Sequence, residues 1–231
     1  MSDYQFEFVT GCPGSHWSSI TNRIRHNLCD LYDTSDLTDD RRFLIPNSFF
    51  KKTTEVDPQT LPDEKKLTHL GSYFGPSNEH GSHFDCIVNN YSVDEFMQEC
   101  LSPFSNNEKT IKQIKSHWFA YNLDWIWENC KGHHLLMIWK DPVAAYSHWL
   151  DIGGWEITYP SYKWYQDLDN SMLEQIQKEA GLLLEFANKK HLQWADYNPT
   201  WLSATYNVDI DAPQYNNDMT SSIKIIRTLI T

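Results

Sequence analysis

Phe6-Glu-Phe-Val-Thr-Gly-Cys-Pro-Gly-Ser-His-Trp-Ser-Ser-Ile20 is the stretch that decides how this chain folds. Its apolar start, Phe6 to Val9, predicts a short strand, and Gly11 to Gly14 predicts a tight turn. A helix should follow Ser15, since apolar residues recur at helical spacing at Trp17, Ile20, Ile24, Leu28 and Leu31. A strand, a glycine turn and a helix start in this order direct backbone N–H groups toward an anion. The stretch therefore predicts either a phosphate-binding loop or an ordinary strand-to-helix turn, and it lacks the Walker A pattern.

The composition limits the classes of protein to which the chain can belong. Its 231 residues, 40% of them hydrophobic, are enough for one α/β domain with a sizeable core. The net charge of −12 argues against a protein that holds nucleic acid by its backbone. We expect no signal peptide and no membrane span, because no segment has the required apolar length. Five cysteines without a close-set framework indicate reduced thiols, and so a cytoplasmic protein.

Two later segments predict strands that lead into polar junctions. Thr110 to Ser116 reads as a strand, followed by a helix from Ala120 to Asn129 that ends at Lys131-Gly132. Leu135 to Trp139 is an uninterrupted apolar run, typical of a central parallel strand that is buried on both faces. After it, Asp141 can cap a helix that starts at Pro142.

The remaining segments predict further helices and long loops. Capping boxes at Ser92–Glu95 and Ser171–Glu174 predict helices, the first ending at Leu101 and the second carrying Ile176, Ala180, Leu183, Leu184 and Ala187 on one side. Leu192 to Ala195 predicts a strand and Pro199 to Tyr206 a helix, whereas Ile223 to Ile230 is too short and mixed to assign. We expect a single domain over residues 1–231, a three-layer α/β/α fold with a central, mainly parallel sheet. Residues 30–108 and 151–170 would be loop-rich insertions.

Three strand-to-helix junctions should meet at one edge of this sheet, where open parallel sheets bind their ligands. They are Thr10 to Ser18, Lys115-Ser116-His117, and Lys140-Asp141-Pro142 with the following Ser147. In order and spacing these junctions resemble the sulfotransferase family, which moves a sulfuryl group from the nucleotide PAPS to a hydroxyl or amine. The sequences of Ile114–His117 and Gly153-Gly-Trp155 are most similar to those of small sulfotransferase-like proteins encoded by phages. Trp194 to Tyr197 carries a weaker likeness to a later strand of the family.

The resemblance implies a role for each junction. His117 would be the general base, and Lys115 would neutralise charge on the bridging oxygen. The donor-binding residues would be Cys12, Pro13, Gly14, Ser15, His16, Trp17 and Ser18 for the 5′-phosphosulfate, with Lys140 and Ser147 for the 3′-phosphate. It further implies PAPS as donor, PAP as product, and a P-loop nucleotide-binding-like fold of the sulfotransferase type. The acceptor would be a small molecule bound by the loop-rich insertions, and the compartment would be the cytoplasm, that of the host cell if the protein is phage-encoded.

The chain departs from the family pattern at three positions. Gly14 stands where the family commonly has Lys or Arg, which removes a charge that would stabilise the leaving phosphate. Lys140 replaces an Arg and so loses the bidentate fork. Ser147 lies seven residues after Lys140 rather than eight, a rotation of about 100° on a helix.

These departures leave two other functions open. One is a binding module that keeps the nucleotide or phosphate pocket without turnover, and the other is a small-molecule phosphotransferase, which lacks an obvious Walker lysine or acidic magnesium ligand. A metal site at His80 and His83, with Glu79 and Asp85, is weakly indicated, and we predict none. Cys12 has no identifiable base partner and is predicted to serve packing.

Overall fold

The computed structural model describes residues 4–28, 30–36, 72, 74, 87–105, 111–151, 171–207 and 222–231. Much of the loop-rich insertions predicted at 30–108 and 151–170 lies outside these ranges, and so do the four residues of the weakly indicated metal site. None of the helices that the structure describes has the length and apolar character needed to cross a membrane.

Five strands form one open sheet in a mixed α/β arrangement. They are β1 (Gln5–Gly11), β2 (Ile111–Lys115), β3 (His134–Trp139), β4 (Ala195–Asp196) and β5 (Lys224–Leu229), in the spatial order β2-β1-β3-β5-β4. Both β2 and β3 run parallel to β1. In contrast, β5 runs antiparallel to both of its neighbours, β3 and β4.

The expectation of a mainly parallel sheet is therefore wrong for the half of the sheet beyond β3. The unassigned segment at 223–230 is β5, and it lies between β3 and β4 with its direction reversed. Its local sequence fits a strand of either direction, because direction depends on partners far away in the chain. The strand predicted at 192–195 is shorter and later, at Ala195–Asp196.

Eight helices are present within the described residues. They are α1 (Trp17–Asn27), α2 (Ile87–Asn90), α3 (Val93–Leu101), α4 (Trp118–Tyr121), α5 (Leu123–Asn129), α6 (Pro142–Asp151), α7 (Ser171–Lys189) and α8 (Pro199–Tyr206). The capping box that opens α3 is confirmed, since Ser92 and Glu95 exchange side-chain and backbone hydrogen bonds. The cap of α6 is also confirmed, because Asp141 Oδ1 accepts the N–H groups of Val143 and Ala144 at 3.0 and 3.1 Å.

The helix predicted at 120–129 is divided in two at Asn122. The Asn122 side chain donates a 2.7 Å hydrogen bond to the carbonyl of Trp118, which competes with helix continuation. The helix predicted to begin at Ser171 is confirmed as α7, but Leu184 lies on its exposed side rather than in the core.

Side chains pack on both faces of β1. Phe8 contacts the rings of Phe96 on α3 and Phe119 on α4. On the opposite face Glu7 is fully buried and accepts hydrogen bonds from Tyr32 and Arg227, at 2.8 and 2.7 Å. Gln113 of β2 and Tyr206 of α8 complete this polar cluster around the Glu7 carboxylate.

The strand order positions the candidate site. Because β1 lies between β2 and β3 and is parallel to both, the carboxyl ends of all three strands meet at one edge. The next two strands in the chain lie on opposite sides of β1, β2 on one side and β3 on the other. Such a reversal of strand order opens a crevice at the strand ends, where ligands bind in sheets of this kind.

Candidate functional site

The loop after β1 is a tight four-residue turn. The Ser15 N–H donates to the Cys12 carbonyl at 3.1 Å, and Gly14 has φ +73°. Pro13 at the second position and a glycine with positive φ at the third are typical of a type II turn. The predicted turn is therefore confirmed, and the Ser15 N–H is used within it.

Gly14 packs directly on the backbone of α6. A Cβ atom built on Gly14 would lie 1.9 Å from the carbonyl oxygen of Ala145 and 3.1 Å from Cβ of Trp149. A side chain of any size is thus excluded unless the loop and α6 move apart. This packing explains why the position cannot carry the Lys or Arg that the resemblance would place there.

The hydroxyl groups of the loop are buried. Neither Thr10 Oγ1 nor Ser15 Oγ has a hydrogen-bond partner within the part of the chain that the structure describes. Ser15 Oγ folds back over Gly11, where a Cβ atom would be 2.9 Å from it, and it lies near enough to the Cys12 thiol to act on that group's pKa. Buried hydroxyl groups normally find a partner, so Thr10 is a donor available at the loop, whereas the Ser15 hydroxyl interacts with the Cys12 thiol.

Cys12 is unsuited to act as a nucleophile. It is fully buried, and burial together with the nearby charge of Glu179 raises the pKa of its thiol. A thiol that stays protonated is neither a nucleophile nor a metal ligand. Its predicted role in packing is consistent with this environment.

His16 begins α1 in an unusual backbone conformation. It is the N-cap residue with φ 63°, in the left-handed region, and its side chain does not cap the helix. Instead, its ring stacks on that of His148 from α6, with the ring centres 3.6 Å apart and the planes inclined by 27°. The stack fixes the start of α1 against α6.

His117 is held in a buried pair with a carboxylate. Its Nδ1 lies 3.1 Å from Oε2 of Glu179 on α7, and both side chains are almost wholly inaccessible. The edge of the His117 ring meets Trp17 with the centroids 4.8 Å apart, which places the imidazole beside the loop. A neutral ring that donates from Nδ1 to a carboxylate has Nε2 as its proton acceptor.

Glu179 is the functional candidate that the sequence reading missed. Its Oε1 accepts a 2.7 Å hydrogen bond from Gln175, so both carboxylate oxygens are used. A signal was present, because Glu179 lies three residues after Ile176 and four before Leu183, both of which are buried on α7. A carboxylate on the apolar face of a helix needs a partner, and that partner is His117.

Lys115 is held by a different helix from the one that holds His117. Its Nζ donates a 3.0 Å hydrogen bond to Asn22 on α1, and its side chain is fully buried. Burial and the charge of Arg25 lower the pKa of Lys115 well below its usual value, which Asp36 partly opposes. Ser116, between the two predicted catalytic residues, also has a hydrogen-bond partner. Its Oγ accepts a hydrogen bond from the N–H of Trp118, the first residue of α4.

An ion pair fills the space beside Lys115. Arg25 forms a bidentate pair with Asp36 at 2.8 and 2.9 Å, and Ser72 donates to the same carboxylate from its N–H and its hydroxyl. The carboxylate near Lys115 is therefore already satisfied. It cannot also serve as the direct counter-ion of the lysine.

Lys140 follows β3, at the same edge of the sheet as the loop after β1. It is 8% exposed and makes no ion pair with any described residue. Its charge acts on Cys12, His16 and His148, so it lies close to all three. Burial lowers the pKa of Lys140, since a desolvated ammonium is less stable than a hydrated one.

Ser147 is not the α6 residue that reaches the loop. The residue stacked on His16 is His148, and the residues against Gly14 are Ala145 and Trp149. His148 is the eighth residue after Lys140, the spacing that the resemblance requires of a phosphate ligand. The structure brings together the loop, His117, Lys140 and His148, while Ser147 makes no side-chain hydrogen bond to a described residue.

No group of histidine, cysteine and acidic side chains suited to a metal ion occurs among the described residues. The chain matches no protein-family model, and neither the curated proteins nor the solved structures contain a match to it.

Proposed function

We propose that this protein transfers a sulfuryl group from PAPS to a hydroxyl or amine group of a small-molecule acceptor. The observation that carries the proposal is the buried His117–Glu179 pair, which lies beside a phosphate-type loop where three parallel strand ends meet. The finer fold assignment, a P-loop nucleotide-binding-like fold of the sulfotransferase type, belongs to this proposal. The strand–turn–helix unit and the order β2-β1-β3 support it.

The His117–Glu179 pair has the arrangement that a general base needs. Glu179 orients the ring and stabilises the imidazolium that forms when Nε2 takes the proton of the acceptor. The acceptor oxygen or nitrogen then bonds to sulfur as the bond from sulfur to the bridging phosphate oxygen breaks, and PAP leaves with the electron pair. Such in-line displacements depend mainly on positioning and charge stabilisation.

Lys140 is the cation best placed to stabilise the leaving phosphate. It lies at the same edge of the sheet as the loop and has no counter-ion among the described residues, whereas Lys115 is held on Asn22 of α1. The hydroxyl of Thr10 supplies a further donor near the loop. We therefore assign charge stabilisation to Lys140 and make Lys115 the weaker candidate.

Two measurements test the proposal. Calorimetry with PAP should show binding to the wild type that is lost in Lys140→Ala. Radiolabelled sulfate should pass from PAPS to acceptors in a metabolite extract, and His117→Ala should abolish that transfer without abolishing PAP binding. His191→Asn is the matched control, because His191 is an exposed histidine with φ 56°, which asparagine tolerates. Absence of PAP binding at millimolar concentration would refute the proposal.

A specific observation favours a second candidate, a nucleotide- or phosphate-binding module without turnover. The contact between Gly14 and Ala145 leaves no space for the basic loop residue that the resemblance associates with catalysis. PAP binding with no transfer to any acceptor would select this candidate. Transfer that depends on His117 would eliminate it.

A further inference from the structure

The contact between His16 and His148 carries an inference about how the site binds an anion. Two imidazole rings whose centres are 3.6 Å apart cannot both be protonated without strong repulsion. Burial and the charges of His148, Lys140 and Arg23 lower the pKa of His16 to about 3. Both rings are consequently neutral at pH 7 in the free protein, because burial and Lys140 also lower the pKa of His148.

The two stacked rings, His16 and His148, have different charged neighbours. Lys140 follows the end of β3 and its charge acts on both rings, and the charge of Arg23 on α1 acts on His16. The charge of Asp151, three residues further along α6, acts on His148 and favours a proton there. The nearest buried carboxylate on α7, Glu179, acts on Cys12 in the loop and is hydrogen-bonded to His117.

Lys140 is the second observation that points to a ligand. Lys140 is only 8% exposed, its charge acts on both stacked rings, and no carboxylate among the described residues pairs with it. The start of α1 adds backbone N–H groups, and His16 at its N-cap offers no side-chain cap. A desolvated ammonium, an imidazole pair and a helix start without a side-chain cap share one complementary ligand class, an anion with several oxygens.

We propose that Lys140, His16 and His148 form a subsite for a tetrahedral dianion, and that the imidazole pair takes up one proton when the dianion binds. The inference builds on the proposed function, in which the dianion is a phosphate group of the donor. The proton comes from solvent and resides mainly on His148, next to Asp151. The site thus supplies, on binding, the second positive charge that Gly14 cannot supply.

Proton uptake gives the binding a defined pH dependence. The dianion raises the pKa of the pair in the complex above its value in the free protein, so the complex binds more protons than the free protein does. Affinity therefore rises as pH falls from 8 to 6, by at most about tenfold per pH unit for one proton. Binding that used Lys140 alone would be nearly independent of pH in this range.

Sulfate is the sharpest probe, because it remains a dianion from pH 6 to pH 8 and any proton taken up must belong to the protein. Calorimetric titrations with sulfate, in two buffers of different ionisation enthalpy, give the number of protons taken up. The wild type should take up close to one proton. His148→Phe keeps an aromatic ring over His16 but cannot accept a proton, so its uptake should fall toward zero. His191→Asn should behave as the wild type does.

A second readout does not depend on any variant. Ring-proton NMR of the wild type should show that one histidine moves toward its protonated shift as sulfate is added at pH 7. Sulfate binding without proton uptake, or uptake that persists in His148→Phe, would overturn the inference. PAP binding and sulfuryl transfer without proton uptake would overturn the inference and leave the proposed function standing. Proton-linked sulfate binding without PAP binding would support the inference and overturn the proposed function. Binding of neither anion would overturn both the inference and the proposed function.

Discussion

The two sides of the loop after β1 differ in how their polar groups are satisfied. On the β2 side, Lys115 and His117 are almost wholly buried, and each is hydrogen-bonded to a helix residue, Asn22 or Glu179. On the β3 side, Lys140 has no counter-ion within the described part of the chain, and His148 is only partly buried. The same residue types, lysine and histidine, therefore occupy a closed environment on one side and a receptive one on the other.

This difference separates orientation from binding. Groups whose hydrogen bonds are already made hold a fixed geometry, which suits the removal of a proton. Groups whose charge is unbalanced are stabilised when an anion binds beside them, which suits recognition of the ligand. Each of the following predictions perturbs one side, and the comparison fails if both sides respond alike.

The largest effect is expected from Glu179→Gln on the β2 side. A glutamine amide can donate to His117 Nδ1 and so favours the tautomer whose Nε2 carries the proton. By analogy with the equivalent change in a Ser-His-Asp triad, transfer should fall by roughly 10⁴-fold while PAP affinity is unchanged. Nitrogen-15 shifts of the His117 ring report the tautomer independently of activity.

The control for this variant is Glu185→Gln, on the exposed side of the same helix. It removes one negative charge from α7 without touching His117, and it should leave transfer unchanged. A normal transfer rate in Glu179→Gln, with the His117 tautomer reversed, would show that the orientation of His117 by Glu179 does not matter for transfer.

The next effect concerns the packing of the loop on the β3 side. Gly14→Ala combines a positive φ with a Cβ that would collide with Ala145, and it should lower the free energy of unfolding by about 3 kcal/mol. Gly132→Ala has φ +82° but no neighbour within 4 Å, so it should lose only about 1 kcal/mol. Gly181→Ala lies within α7 in open space and should stabilise the protein by roughly 0.5–1 kcal/mol.

Urea unfolding of the three alanine variants separates the cost of the collision from that of the backbone conformation. Equal losses for Gly14→Ala and Gly132→Ala would mean that the loop moves away from α6 freely. In that case a basic residue at position 14 would be tolerated.

The two lysines should respond in opposite ways to replacement by methionine. The folded state holds Lys115 with a lowered pKa, so below pH 10.5 the unfolded state binds more protons and the buried ammonium opposes folding. Lys115→Met should therefore raise the free energy of unfolding at pH 7 by about 1–3 kcal/mol, a gain that shrinks as pH approaches 10.5. Lys140→Met should instead weaken sulfate and PAP binding at least tenfold, with little gain in stability.

Denaturant unfolding and calorimetry on both variants check this contrast. A larger stability gain from Lys140→Met than from Lys115→Met would reverse the assignment of the closed and receptive sides.

The smallest effect is expected in the acid dependence of stability. Because the pKa of His16 is lowered to about 3, its ring is neutral when folded and becomes charged on unfolding below pH 6.5, so acid opposes folding. At pH 6 this contributes less than about 1 kcal/mol. His16→Asn tolerates the left-handed conformation and can cap α1, and it should flatten the pH dependence of stability between pH 5 and 7. His191→Asn should not.

The local sequence predicted the elements that depend on neighbours in the chain. Glycine and proline mark the turn at Cys12 to Ser15, and the capping residues Ser92 and Asp141 mark two helix starts, all of which the structure confirms. The convergence of three junctions followed from the parallel pairing of β1 with β2 and β3. These features require only spacing and the rule that parallel strand ends share one edge.

The features that the sequence did not reveal depend on partners far along the chain. The direction of β5 is decided by β3 and β4 rather than by its own residues. The pairing of His117 with Glu179 joins residues 62 positions apart. The direction of the Lys115 side chain, toward Asn22 of α1, follows from which face of β2 it occupies, a matter of one residue in register.

The position of β5 inside the sheet has a consequence for biosynthesis. β5 follows β4 in the chain yet separates it from β3, so β4 cannot join the sheet until the ribosome has made residues 224–229. Until then Glu7 lacks the guanidinium of Arg227, and the edge of β3 is open to pairing with other nascent chains. Newly made protein should therefore depend on holding chaperones until β5 emerges from the ribosome.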